Sequence, residues 1–263
     1  MRAAVLGSPI AHSLSPALHT AAYAALGLSG WRYDRQECDE AALPGVVAGL
    51  GPEWAGLSLT MPLKRVALDV ADEVAPLAAA VGAANTLVLR DGGRVAHNTD
   101  VAGIVAALGD VPRGGRAVVL GAGGTAQAAL AALRDLGIDE VDVLVRDVAR
   151  AGELRAAAER LGVAPRVRDG LADGLADEVT VEADVVVSTL PRGAADGVVA
   201  RAGVVLDVVY SPWPTAFAAA AEGRVVSGLE MLLHQAAAQV HLMTGKPGPV
   251  EAMRAALVRA AGP

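Results

Sequence analysis

Short apolar runs rich in Val and Leu alternate along this chain with longer Ala-rich stretches whose apolar residues recur at helical spacing. The runs lie at Ala3 to Leu6, Gly56 to Leu59, Asn85 to Leu89, Ala117 to Leu120, Val141 to Val145, Val185 to Ser188 and Val204 to Val208, and each reads as a strand. Strand signals separated by helical ones predict an α/β fold. The order is plainest in the second half, where the strand Ala117 to Leu120 passes through Gly121 to Gly124 into an apolar helix, Thr125 to Leu136, which Gly137 ends. Leu108 to Gly115, rich in Gly and Pro, interrupts the pattern ahead of that unit and reads as a linker, with a domain boundary near Val101. Beyond Gly228 no strand signal remains. Leu229 to Leu242 and Val250 to Ala261 carry helical spacing instead, so two closing helices are expected.

Composition sharpens this picture in three ways. The apolar fraction of 53% comes mainly from Ala, Val and Leu with 3% aromatics, which favours helices on a Val-rich sheet over a β-sandwich. A net charge of -7 without a basic run argues against nucleic acid as a partner and leaves small molecules. The single cysteine, Cys38, excludes an internal disulfide and a multi-cysteine metal site, so no metal is expected and a reducing cytoplasm is the expected compartment. Its neighbours Glu37, Asp39 and Glu40 would raise its pKa, which argues against a nucleophilic role. Neither an export signal nor a stretch long enough to span a bilayer is recognised, so no membrane association is expected.

The segment Val118 to Ala126 places a strand, a G-x-G-x-x-A turn and a helix start in the order that a dinucleotide requires, the Rossmann pattern. Gly121 permits the tight turn, Gly123 lets backbone N–H groups approach a pyrophosphate, and Ala126 allows close helix–sheet contact. Ala122, Gly124 and Thr125 complete the loop. The next strand ends Leu144-Val145-Arg146-Asp147, where an NAD site would carry an acid for the ribose hydroxyls. Arg146 and Arg150 suit a 2′-phosphate and therefore NADP. Asp147 pulls toward NAD, and both arginines also read as solvated residues at a helix start.

Four clusters in the first half carry further polar chemistry. Ser13 and Ser15 precede Pro16 at a helix start, a layout that suits either a carboxylate ligand or a plain N-cap at Ser15. Thr60-Met61-Pro62-Leu63-Lys64 follows a strand, and Lys64 taken singly reads as a surface charge. Asn85 in Gly82 to Thr86, and Asp100 in His97 to Asp100, each read singly as turn residues.

Taken in order, these segments resemble the shikimate dehydrogenase family: H-S-L-S-P at His12 to Pro16, T-x-P-x-K at Thr60 to Lys64, G-A-x-N-T, N-T-D, the G-A-G-G loop, then Asp207 to Pro212 and Gly228 to Gln235. The resemblance spans nearly the whole chain. It implies an N-terminal α/β substrate domain, 1–101, completed by C-terminal helices, 233–263, and a Rossmann nucleotide domain, 102–232, with substrate in the cleft between them. It implies that Ser13 and Ser15 hold a carboxylate, that Thr60, Asn85, Asp100 and Gln235 bond ring hydroxyls with Tyr210 close by, and that Lys64 with Asp100 forms the catalytic pair. Gly121 to Ala126, Arg146, Arg150 and Gly228 would hold NADP. The implied reaction is reversible NADPH-dependent reduction of 3-dehydroshikimate to shikimate, by a cytoplasmic monomer or homodimer.

Three departures from the family pattern stand out. Ser58 occupies a position where the family often has Asn, Thr20 follows His19 where Asn is common, and Val145 and Asp147 flank Arg146 in place of Asn and Thr. An NAD-dependent quinate/shikimate dehydrogenase is the nearest alternative reading. A catalytically silent nucleotide-sensing module is the alternative of another class, which the presence of Lys64 and Asp100 opposes.

Overall fold

The computed structural model describes residues 1–171 and 179–262. They fall into two compact units, Met1–Thr99 with Leu232–Pro263, and Asp100–Met231. The first unit contains β1 (Arg2–Gly7), α1 (Ser15–Ala25), β2 (Arg32–Glu37), α2 (Leu43–Ala48), β3 (Trp54–Leu59), α3 (Val66–Asp69), β4 (Glu73–Val74), α4 (Pro76–Val81), β5 (Thr86–Arg90) and β6 (Gly93–His97). Its sheet runs β2-β1-β3-β5-β6-β4, with β1 parallel to β2 and β3, and β5 antiparallel to β3 and β6. Alternate residues of β1 serve opposite faces, as the two-residue period of a strand demands. Ala4 and Leu6 pack with Leu43, Val47, Leu57 and Leu63, whereas Ala3 and Val5 pack with Tyr23, Tyr33 and Ala55. Burial on both faces is why β1 reads as an unbroken apolar run.

The second unit holds α5 (Asp100–Leu108), β7 (Arg116–Leu120), α6 (Gly124–Asp135), β8 (Glu140–Val145), a 3-10 turn at Val148–Ala151, α7 (Gly152–Leu161), β9 (Arg166–Asp169), β10 (Val179–Ser188), β11 (Val198–Asp207), α8 (Ala216–Ala220) and β12 (Glu222–Ser227). All its strands are parallel, in the order β9-β8-β7-β10-β11-β12. Counted within the unit, that order is 3-2-1-4-5-6, the doubly wound Rossmann arrangement with its topological switch between β7 and β10. The chain then returns through α9 (Gly228–Thr244) and closes with α10 (Val250–Ala261). Among the described residues no helix is long and apolar enough to cross a membrane.

Two expectations need correction. The loop 109–115 is not the passage between the units, because α5 already belongs to the second unit, where it packs on α6 and β11. The apolar runs also missed β2, β4, β6, β9 and β12. Four of these five are the outer strands of the two sheets, and an outer strand carries polar residues because little of it is covered. The sequences Arg32-Tyr33-Asp34-Arg35-Gln36-Glu37 and Arg166-Val167-Arg168-Asp169 show this plainly.

Candidate active site

The nucleotide loop lies where the sheet order reverses. Gly121 follows β7 with φ at +104°, and a Cβ there would meet Thr189 Oγ1 at 2.7 Å, so glycine is required on two counts. The Thr189 hydroxyl and N–H both donate to the Leu120 carbonyl, at 2.8 and 3.0 Å, which brings the end of β10 over this turn. Gly123 is the N-cap of α6 and has no side chain to cap that helix. A Cβ on Gly123 would meet nothing within 4 Å. That open space at a helix N-terminus fits a pyrophosphate. Ala126 is fully buried, as close helix–sheet contact requires.

A cavity of about 330 Å³ opens from this loop and is lined by Gly121, Ala122, Gly123, Val145, Arg146, Asp147 and Arg150, among others. Asp147 Oδ1 accepts the N–H of Ala149 at 2.8 Å, capping the 3-10 turn. One oxygen of the acid that would favour NAD is therefore engaged by its own backbone, while both arginines line the same cavity. Gly228 has a different local reason to be glycine: a Cβ would sit 2.0 Å from the Val208 carbonyl oxygen. Tyr210 is half-buried, and burial raises its phenol pKa. Its loop is held by Asp207, which accepts from Val209 N at 3.1 Å and from the Thr215 hydroxyl at 2.6 Å.

In the first unit the Thr60 turn lies against the end of β1. Thr60 N–H donates to Leu6 O at 3.0 Å and Ser8 N–H to Met61 O at 2.9 Å. A Cβ on Gly7 would strike Thr60 Cγ2 at 2.3 Å, so this approach needs the glycine. Fully buried Leu63 anchors the turn, and the Lys64 carbonyl accepts Ala84 N–H at 2.7 Å, which fixes the backbone from which the lysine side chain springs. Ser13 Oγ accepts the N–H of Ser15 at 3.3 Å. The Ser15 hydroxyl makes no cap to α1, so the plain N-cap reading gives way to a nearly buried hydroxyl.

Asn85 is the hub of a buried polar centre. Its Oδ1 accepts Thr99 N–H at 2.8 Å, and its Nδ2 donates to Thr99 Oγ1 at 2.9 Å and to Gln235 Oε1 at 3.3 Å. Gln235 is held in turn by donating to the Leu232 carbonyl at 2.9 Å. Next to Thr99, Asn98 donates to the Ala83 carbonyl at 2.8 Å, and Asp100 begins α5 with 4% of its surface exposed. The structure thus brings Asn85 and Gln235 together across 150 positions of sequence. Thr99, Thr86, Ser58, Tyr33, His19 and Gln239 join the same centre without having been singled out as site residues. Gln239 was the findable one, since it stands one helical turn after Gln235. Among the described residues no group of three His, Cys, Asp or Glu is placed to hold a metal.

Comparison with known proteins gives a consistent result. Two family profiles match, one described as the shikimate dehydrogenase substrate binding domain over residues 5–87, the other as the shikimate 5'-dehydrogenase C-terminal domain over residues 228–258. The shikimate dehydrogenase (NADP(+)) of Moorella thermoacetica is 39% identical over 277 residues, covering 98% of this chain and 93% of its own. Shikimate dehydrogenase from Mycobacterium tuberculosis superimposes with a TM-score of 0.84 at 50% identity, over 97% of this chain and 98% of that one. The shikimate 5-dehydrogenase of Thermus thermophilus, solved in complex with NADP(H) and shikimate, gives 0.82 at 37% identity over 99% of each chain.

Proposed function

This chain belongs to the shikimate dehydrogenase family, NADP-dependent oxidoreductases acting on a CH–OH group, and from that premise we propose how its own residues divide the work. The reaction is the reversible NADPH-dependent reduction of 3-dehydroshikimate to shikimate in the chorismate pathway of aromatic amino acid biosynthesis. Ser13 and Ser15 hold the substrate carboxylate at the start of α1, where an anion is favoured by the N-terminal N–H groups. Thr60, Asn85, Asp100 and Gln235 bond the ring hydroxyls, and Tyr210 is assigned to the substrate as well. The observation that carries the substrate reading is the Asn85 centre: two amides whose orientation the backbone fixes, through Thr99 N–H and Leu232 O.

Lys64 takes the hydroxyl proton in the direction of oxidation and returns it in the direction of reduction, and Asp100 bonds the same hydroxyl and fixes the amine. The nicotinamide, when bound, supplies the hydride transfer that side chains lack. Gly121 to Ala126 offer backbone N–H groups to the pyrophosphate, Gly228 belongs to the nucleotide side, and Arg146 and Arg150 neutralise the 2′-phosphate with planar, charge-assisted bonds. The single cysteine, Cys38, is buried, and the compartment proposed for the enzyme is the cytoplasm.

The decisive experiment mixes the protein with shikimate or quinate and NADP or NAD, in all four pairings, and follows reduced-nicotinamide absorbance. Shikimate with NADP is expected to give the highest kcat/KM, and a preference for quinate with NAD would reject the reading. In the same assay Arg146→Ala should lower kcat/KM for NADP by about tenfold, the worth of one lost charge-assisted hydrogen bond at an exposed site. NAD should be nearly unaffected. Equal loss with both cofactors would mean that Asp147 governs the pocket.

A further inference from the structure

Hydrogen-bond direction around Asn85 is determined link by link, starting from a group that can only donate. Thr99 N–H points at Asn85 Oδ1 at 2.8 Å, so that atom is the oxygen. The Thr86 hydroxyl lies 2.9 Å from the same oxygen and gives its proton there. Thr86 Oγ1 is thereby an acceptor, and Gln239 Nε2 fills it at 3.0 Å while also donating to the Asn85 carbonyl at 3.1 Å. Gln239 Oε1 must then face the other way. There it accepts from the Ser58 hydroxyl at 2.7 Å and from His19 Nε2 at 3.3 Å, and Tyr33 donates to Ser58 at 2.6 Å. His19 stacks on Tyr33 with ring centroids 3.9 Å apart, so two rings brace the far side of the chain. Gln239 is 1% exposed and Thr86 fully buried.

We propose that Gln239 is a positioning residue for Asn85, acting through Thr86 and through the Asn85 carbonyl, and that it helps to hold the Asn85 amide in the orientation set by Thr99 N–H, in which it meets the substrate. The proposal rests on the reading of Asn85 as a substrate-binding residue. Its physical content is that the Gln239 Nε2 hydrogen bond occupies a lone pair of Thr86 Oγ1 and fixes where that oxygen sits, which keeps its own O–H aimed at Asn85 Oδ1. Without that donor the Thr86 hydroxyl is free to turn, and one of the contacts that keep the Asn85 amide from rotating is weakened. Gln235 and Gln239, four residues apart on α9, thus grip Asn85 at its side chain and at its main chain.

Steady-state kinetics with shikimate and NADP, together with thermal melting, test this. Gln239→Leu keeps the approximate volume and should raise KM for shikimate about three- to tenfold, the worth of a hydrogen bond of ordinary strength, leaving KM for NADP unchanged. Thr86→Val, which removes the hydroxyl and keeps the shape, should do the same, and Thr86→Ser should restore near-normal KM. In an Asn85→Ala background the Gln239→Leu change should add nothing, because it acts through Asn85. A purely structural glutamine would lower the melting temperature without this dependence. If Asn85→Ala raises KM but Gln239→Leu leaves it alone, or the two effects multiply, the positioning role is overturned and Asn85 keeps its assignment. If Asn85→Ala leaves KM unchanged, the substrate reading of this centre falls and takes the proposal with it. Should Gln239→Leu fail to fold, the Thr86→Val and Thr86→Ser pair decides.

Discussion

Lys64→Ala is expected to lower kcat by about two to four powers of ten, the usual contribution of a positioned acid or base, with a much smaller change in KM for shikimate. The split between the two constants matters more than the size of the drop. A residue that only binds substrate weakens ground state and transition state alike, and its loss appears in KM. A proton acceptor is used only as the O–H bond breaks, so its loss appears in kcat. Lys64 is suited to the second role by its backbone. The turn from Thr60 to Lys64 is closed by Leu63 N–H on Thr60 O at 2.8 Å, tied to β1 through Thr60 N–H on Leu6 O, and fixed at the lysine by Ala84 N–H. Single-turnover measurement of reduced nicotinamide would isolate the chemical step from release of products. Near-normal turnover in Lys64→Ala would return the lysine to a binding or surface role.

The second large effect is on stability rather than rate. His19 is fully buried, and burial drives its pKa down to about 3 against a small opposing effect from its bond to Gln239. Nε2 carries the ring proton, because it faces Gln239 Oε1, and buried Nδ1 has no partner to receive a second N–H. In the unfolded chain the same ring titrates near 6.5. Between pH 6.5 and 3 the unfolded state therefore binds a proton that the folded state refuses, so folding is favoured less as the pH falls through that window. The loss between about pH 7 and about 4.5 is on the order of 2 to 3 kcal/mol, a substantial part of a typical domain's stability. Urea unfolding at a series of pH values should show this loss, and His19→Phe, which keeps a ring against Tyr33 but does not titrate, should lessen it by that amount. Identical pH profiles in the two proteins would show that His19 takes up its proton as readily in the folded state as in the unfolded one, and would overturn this expectation.

What the sequence determined by itself is what depends on near neighbours along the chain. Strand segments buried on both faces, such as β1 after Arg2, β7 after Arg116 and the last four residues of β10 and β11, announce themselves as apolar runs because every residue in them meets core. The nucleotide loop was equally legible, since a left-handed turn at Gly121 and an uncapped helix start at Gly124 impose their residue types locally. The Asp91-Gly92 turn that joins β5 to β6 was also present in the letters, with φ at 53° and 78° as a tight hairpin requires, but the short half-polar strand after it hid the signal. Tertiary structure decided everything that turns on direction. The outer strands β2, β4, β9 and β12 are strands because a neighbour supplies their hydrogen bonds, and no residue pattern of their own demands it. Asp147 reads as an argument for NAD until one of its oxygens is seen on Ala149 N–H, and only the fold shows that a side chain at Gly228 would strike the Val208 carbonyl. Ser58, Thr86, Thr99 and Gln239 are ordinary letters scattered over four elements and loops, and they become one centre only when the fold closes them around Asn85. A hydrogen bond joins whatever the fold makes adjacent, and which partner donates is settled by the whole chain of contacts, so neither is written in any short stretch of sequence.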